Sequence, residues 1–144
     1  MARLPRNALP PEGIYHVTAR GVDGCPIVLD DDDRFGFVRL LRDVCRRFLW
    51  RCHAFCLMDT HYHVLVAAGL GAVSAGCHRL NGLHAQRFNE RHDRTGHLFG
   101  DRFYARVLES DAHLAAAVLY IRNNPVRAGI CDRAADWRWS GAVA

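Results

Sequence analysis

Two histidines that stand one residue apart are the residues of this sequence best suited to chemistry. His61 and His63 fall in a run, Met58 to Val66, that otherwise has the composition of a buried strand. Side chains alternate along a strand, so both imidazoles point to the same side and come within reach of one cation. Neutral imidazole is the commonest metal ligand in proteins. The pair indicates half of a metal site, although an isolated His-x-His pair is more often part of an ordinary sheet.

A tyrosine and an asparagine near the end of the chain supply what the histidines lack. Tyr120 and Asn124 are four residues apart in a helical pattern, which places them on one helix face. A tyrosine near a metal can act as a nucleophile that forms a covalent intermediate. The side-chain oxygen of Asn124 can complete a set of two histidines and one oxygen. Such mixed ligands suit Mn²⁺, while Mg²⁺ prefers oxygen alone, so we expect a divalent cation of one of these two kinds.

These residues lie in segments that match a known family. The match rests on His61-Tyr62-His63 and on the stretch from Tyr120 to Gly129, which reads Tyr-Ile-Arg-Asn-Asn-Pro-Val-Arg-Ala-Gly. Shorter segments extend it over nearly the whole chain: Tyr15 to Gly21, Leu98-Phe99, Arg102-Phe103 and Trp139-Ser140. Together they resemble the single-tyrosine HUH transposases, most closely the REP-associated tyrosine transposases.

The resemblance implies a fold, an activity and a set of roles. It implies a ferredoxin-like fold, a divalent cation bound by His61 and His63, and Tyr120 as the group that attacks single-stranded DNA. The product would be a 5′ phosphotyrosine with a free 3′ hydroxyl, and the DNA is expected to contain a hairpin. Asn124 is the third metal ligand predicted. By analogy with the closest members a monomer is favoured over a dimer.

The elements that must position these residues can be read from the periodicity of the sequence. Strands are predicted at 13–21, 50–58, 61–67 and, bent at Gly100, at 97–108. Helices are predicted at 32–48, from about Val73 to Arg91, and at 112–123, the last capped by Ser110. The short Asp59-Thr60 connection predicts a hairpin between the second and third strands.

The order β, α, β, β, α, β, α indicates an α+β protein. A β-α-β-β-α-β core is the split βαβ arrangement, in which an antiparallel sheet carries two helices on one face. The added C-terminal helix carries the tyrosine. A length of 144 residues without a break in composition predicts a single domain, 1–144.

The charge of the chain favours nucleic acid as a partner. The net charge is +4, and all 19 positive residues are arginine, the side chain that grips phosphate in a fork and stacks on bases. Codon usage in a G+C-rich genome explains the missing lysine but not the positive excess. The arginines that flank the motifs are the predicted DNA contacts: Arg20, Arg102, Arg122 and Arg127.

Other features limit the location of the protein. The six cysteines form no Cys-x-x-Cys pair, and no apolar run reaches the length of a signal peptide or membrane span. We therefore expect a cytoplasmic protein with reduced thiols and no membrane partner.

Two alternative functions are open at this point. A domesticated protein would recognise DNA hairpins without cutting them, and its binding would survive the loss of Tyr120. A hydrolytic metalloenzyme would use water as the nucleophile, and a Tyr120→Phe variant would still turn over.

Overall fold

The computed structural model describes residues 12–100 and 103–143. The predicted contact Arg102 and the proline-rich start of the chain lie outside these residues. The strands are β1 (Glu12–Arg20), β2 (Arg51–Leu57), β3 (His61–Gly69), β4 (Tyr104–Leu108) and β5 (Ser140–Val143). The helices are α1 (Asp31–Arg47), α2 (Leu70–Arg91), α3 (Asp111–Arg122) and the short α4 (Asn124–Arg127).

The five strands form one antiparallel sheet in the order β4-β1-β3-β2-β5. The first four strands have the order expected for a split βαβ arrangement, so the predicted fold class is confirmed. β2 and β3 are joined by a tight hairpin, in which the Met58 amide donates to the carbonyl oxygen of His61 at 2.9 Å.

Different helices cover the two faces of the sheet. Tyr62, Val64 and Val66 of β3 point into a core that α1 and α2 cover. His61 and His63 point to the opposite face with Leu65, where α3 packs through Ile121. Alternation along β3 therefore separates the hydrophobic core from the face that carries the histidines.

The helix boundaries follow from local capping. Asp30 accepts a hydrogen bond from the Asp33 amide at the start of α1, and Ser110 accepts one from the His113 amide at the start of α3. Both side chains satisfy amides that have no partner within the helix. α3 ends at Arg122, and Pro125 then lies in the first turn of α4, where its fixed backbone angle is tolerated.

The structure corrects the predicted sheet at its two edges. The fourth strand was predicted over 97–108, but regular pairing begins only at Tyr104, because the preceding segment crosses the end of β1. There Phe99 forms an isolated bridge with Gly21, and the Gly100 amide donates to the Arg20 carbonyl oxygen at 3.1 Å. β5 was not predicted. It pairs with β2 in a tail whose small residues carry little strand signal.

Within the described part of the chain, no helix is both long enough and apolar enough to cross a membrane.

Candidate active site

A groove of about 580 Å³ lies between α3 and the sheet face formed by β4, β1 and β3. The face of α3 with His113 and Tyr120 forms one wall, since these residues are seven apart and point the same way. The floor is formed by side chains of β1, β3 and β4: His16, Thr18, Arg20, His63, Tyr104 and Arg106.

The two histidines of β3 lie side by side, as the sequence predicts from strand alternation. Their ring centroids are 5.1 Å apart and the rings are perpendicular, with an angle of 88° between them. His63 is 5% exposed, and His61 is half-buried at the start of the strand. Each is therefore held by the sheet and has a defined orientation.

The Nδ1 atoms of both histidines already have hydrogen-bond partners. Nδ1 of His61 is 3.0 Å from the hydroxyl of Thr60. Nδ1 of His63 is 3.1 Å from the Thr18 hydroxyl and 2.9 Å from Nε2 of His16. When the proton of each ring is on Nδ1, Nε2 keeps its lone pair for a metal ion. Metal-binding histidines are commonly oriented in this way through their second nitrogen.

Burial keeps the three imidazoles of the site neutral. It lowers the pKa of His63 to about 3, with an added contribution from His16 and then from His61. It lowers the pKa of His61 to about 4, with a further contribution from Arg20, and that of His16 to about 4, with one from Arg106. Near pH 7 these rings are neutral, so each has one nitrogen without a proton that can donate its lone pair to a metal.

Tyr120 lies in the last turn of α3 and faces the histidines. Its ring centroid is 6.0 Å from that of His63 and 6.1 Å from that of His16. The side chain remains 51% exposed, so a ligand in the groove can reach it. The structure thus brings together the tyrosine and one of the two histidines that the sequence singled out, although 57 residues separate them.

Arg127 of α4 holds the tyrosine from the other side. Its Cζ lies 4.0 Å from the centroid of the Tyr120 ring, and its Nη2 donates to the Tyr120 carbonyl oxygen at 2.7 Å. A guanidinium over an aromatic face is attracted to the ring electrons. Arg127 was predicted as a DNA contact, which stays a prediction; in the structure it packs on the Tyr120 ring and bonds to the Tyr120 backbone.

Asn124 does not lie in the same helix as Tyr120. α3 ends two residues before it, and Asn124 is the first residue of α4. Among the residues that the structure describes, no hydrogen bond joins the Asn124 side chain to either histidine of β3. Its assignment as a third ligand stays a prediction.

The arginines predicted to contact DNA have different positions. Arg20 is exposed and lines the groove at the end of β1. Arg122 is exposed at the end of α3. Arg106, which sequence reasoning missed, lies on the floor of the groove with Arg20, because β4 pairs it with His16.

His16 and Thr18 were also missed as partners of His63. His16, Thr18 and Arg20 stand at every second position of β1, so all three side chains point to one face. That signal was present in the sequence, but the register that sets Thr18 opposite His63 comes only from strand pairing.

A second cluster of side chains that could bind a metal links two helices of the fold. Asp30, Asp33 and His92 bring one ligand atom each to within 4.8 Å of the others. Arg91 lies among them, and its guanidinium donates to both carboxylates. Hydrogen bonding to Arg91 lowers the pKa of Asp30 to about 2. The positive charge that this cluster needs is supplied by arginine, which ties α2 to the start of α1.

A family model identifies the family of the chain, and two solved structures share its fold. A family model described as "Transposase IS200 like" matches residues 15–124. A solved structure of a REP-associated tyrosine transposase bound to a REP hairpin has a TM-score of 0.76 and 18% identity, over 97% of this chain and 82% of that chain. A putative transposase from Deinococcus radiodurans R1 has a TM-score of 0.55 and 18% identity, over 85% of this chain and 97% of that one. No curated protein sequence matches.

Proposed function

The chain belongs to the family of IS200-like transposases, enzymes that nick and join DNA, and we propose that it does so through Tyr120 as the nucleophile on single-stranded DNA. The observation that carries this proposal is the shared groove, in which the Tyr120 ring lies 6.0 Å from that of His63. A phosphate in this groove would contact the phenol and the histidine side of the site together.

The proposed cation site consists of His61 and His63, with Asn124 as a third ligand. The fit rests on the neutral state of both rings and on the partners of their Nδ1 atoms, which leave Nε2 for the ion. Mn²⁺ suits this set, and Mg²⁺ is the alternative. When bound, the cation would act as a Lewis acid on the phosphate oxygens and stabilise the transition state by roughly several kcal/mol.

The proposed reaction exchanges one phosphodiester bond for another. The Tyr120 hydroxyl oxygen attacks phosphorus, the bond from phosphorus to the 3′ oxygen breaks, and the 3′ oxygen leaves with a proton as a hydroxyl. The DNA 5′ end is then held as a phosphotyrosine. A 3′ hydroxyl from another strand reverses the same step, so joining needs no other energy source.

The phenol must lose its proton, and His113 is the residue proposed to take it. The His16 ring centroid lies 6.1 Å from that of Tyr120. When His63 donates through Nδ1, however, Nε2 of His16 accepts that bond, and the His16 proton is on Nδ1. His16 then supports His63 and is not free to act as a base. His113 faces the groove from the same side of α3 as Tyr120, two helical turns toward the start of the helix, and would take the proton through a water in the groove. Among the described residues, its ring has no such bond.

The expected DNA is a single strand with an adjoining hairpin. A fold relative has been solved with a REP hairpin, which supports this choice. Arg20 and Arg106 flank the groove, and together with the predicted contacts Arg102, Arg122 and Arg127 they would bind phosphates. We propose that the chain works as a monomer, with a dimer as the alternative.

The decisive experiment uses a hairpin oligonucleotide with a labelled single-stranded extension. The protein is mixed with it in Mn²⁺ or Mg²⁺, and the products are separated on a denaturing gel. We expect the wild type to form a slowly migrating covalent product and Tyr120→Phe to form none. Tyr104→Phe, which removes another phenol from the same groove, should still form it.

The alternatives give other outcomes. Binding without any covalent product in the wild type would favour a hairpin-binding protein. Cleavage by Tyr120→Phe would favour attack by water. Either result would refute the proposed nucleophile.

A further inference from the structure

We propose that a cleft at the far end of the sheet binds the phosphate backbone of the double-stranded stem of the DNA substrate. The cleft has a volume of about 1160 Å³ and lies between the C-terminal half of α1, the start of β2 and the end of β5. It shares no lining residue with the groove that holds Tyr120. The proposal rests on the proposed function for the choice of DNA as the ligand.

Positive charge is concentrated at this cleft. Arg39, Arg42 and Arg46 follow one another at spacings of three and four residues, so they share one face of α1. Arg51 joins them from the start of β2. All four are exposed, and no carboxylate is among the lining residues. The cleft is therefore complementary to an anionic surface.

Most of this charge is not balanced within the protein. Arg46 lies 3.4 Å from the carboxylate of Asp43. In the part of the chain that the structure describes, no carboxylate pairs with Arg39, Arg42 or Arg51. Arginines without partners on one surface are typical of sites that bind phosphates, because the fork of the guanidinium matches two phosphate oxygens.

Leu49 is a second unusual feature at the same place. It is 85% exposed and lines the cleft, and its backbone is in the left-handed region with φ of 56°. This backbone conformation ends α1, because the Trp50 amide donates to the Cys45 carbonyl oxygen at 2.8 Å as in a Schellman motif. The helix end explains the backbone of Leu49 but not the exposure of its apolar side chain. An apolar side chain beside arginines can contact the sugars of a nucleic acid backbone.

The distance between the cleft and the histidines fits a DNA stem. β2 pairs Arg51 with Ala67, six residues along β3 from His61. At about 3.3 Å per residue the separation is about 20 Å. Duplex DNA advances about 3.4 Å per base pair, so about six base pairs span it. A hairpin whose single strand enters the groove can therefore reach Arg51 with its stem, since Arg51 shares the histidine face of the sheet with its partner Ala67. The arginines of α1 line the same cleft as Arg51.

The test measures how much affinity a stem adds. Binding of a labelled single strand is compared with that of the same strand carrying a stem of about three or about nine base pairs, without divalent cation. Fluorescence anisotropy over a range of NaCl concentrations gives the affinity and its salt dependence. For the wild type we expect the long stem, and not the short one, to raise affinity.

The variant Arg39→Gln/Arg42→Gln removes two of the four arginines. We expect the gain from the long stem to fall and the slope of log K against log salt to decrease by about 2, because each lost phosphate contact removes about 1. Arg133→Gln is the control, since Arg133 is an exposed arginine that pairs with Asp136 and lines neither site. It should bind like the wild type.

Three results would overturn the proposal. The first is that the wild type binds long and short stems with equal affinity. The second is that the double variant keeps the full gain in affinity from the long stem. The third is that Arg133→Gln loses as much of this gain as the double variant does. A protein ligand for the cleft would give the first result. Failure of the proposed function is seen separately, as absence of the covalent product on a strand without a stem.

Discussion

His63 is the residue on which the candidate active site depends. It is nearly fully buried, and its ring is held through Nδ1 by Thr18 and by His16. Such partners fix the orientation of a metal-binding histidine and the position of its proton. The site is therefore set by β1 as much as by the pair of histidines on β3.

The first prediction concerns His16 as a positioning residue. In His16→Ala, we expect the affinity for Mn²⁺ to fall by about 10- to 100-fold, because the His63 ring loses a partner that orients it. Isothermal titration of the protein with Mn²⁺ measures this. His113→Ala is the control, since His113 does not contact His63; it should bind Mn²⁺ as the wild type does but form the covalent product slowly. Unchanged affinity in His16→Ala would show that Thr18 alone suffices.

Part of the candidate site could be predicted from residue types and their spacing. His61, His63 and Tyr120 were singled out because their spacing and neighbours matched a pattern with a chemical reason, and their roles stay predictions. Arg106 and the role of Arg127 were not found, because a single sequence does not state which strands pair or how α4 turns back over Tyr120. Asn124 shows the same limit, since the helical spacing that related it to Tyr120 is interrupted after Arg122.

At the scale of elements, α2 is positioned against the sheet by a close contact. Gly76 faces the indole of Trp50, whose Nε1 donates to the Ala72 carbonyl oxygen at 2.9 Å. A Cβ atom at Gly76 would overlap the indole ring. Gly82 lies on the same helix, and a Cβ there would meet nothing within 4 Å.

The second prediction compares these two glycines. Gly76→Ala should lower the free energy of unfolding by about 1–3 kcal/mol, because the helix must move away from Trp50. Gly82→Ala should raise it by up to about 1 kcal/mol, because alanine favours the helix. Urea unfolding followed by circular dichroism measures both. Stabilisation of equal size in the two variants would mean that the Trp50 contact does not restrict α2.

Periodicity predicted the helices well and the sheet edges poorly. α1 and α3 begin where Asp30 and Ser110 cap them, and both signals are local. The start of β4 depends on where the chain crosses β1 near Gly21, which is a tertiary event. β5 forms because Trp139 brings the tail beside β2: the Leu57 amide donates to the Trp139 carbonyl oxygen at 2.8 Å.

For the whole molecule, the neutral histidines of the site link stability to pH. Burial holds the pKa of His16 and His61 at about 4 and that of His63 at about 3, while an unfolded chain has values near 6.5. Between these values the unfolded state binds more protons than the folded state. The stabilisation is complete above pH 6.5 and is lost as the pH falls toward 4.

The third prediction is a fall in the midpoint of thermal unfolding, Tm, between pH 7 and pH 5. We expect a smaller fall in His63→Gln, which removes the group with the lowest pKa. His78→Gln, a change at an exposed histidine on α2, should follow the wild type. Differential scanning fluorimetry across this range measures Tm. A wild-type Tm that is constant over the range would contradict the pKa values of the buried rings.

The outer strands of the sheet are short, with five residues in β4 and four in β5. A brief edge offers few backbone groups to a neighbouring chain, and Arg106 in β4 adds a charge that a stacked copy would repel. We therefore expect concentrated preparations of this protein to resist fibril formation through strand addition.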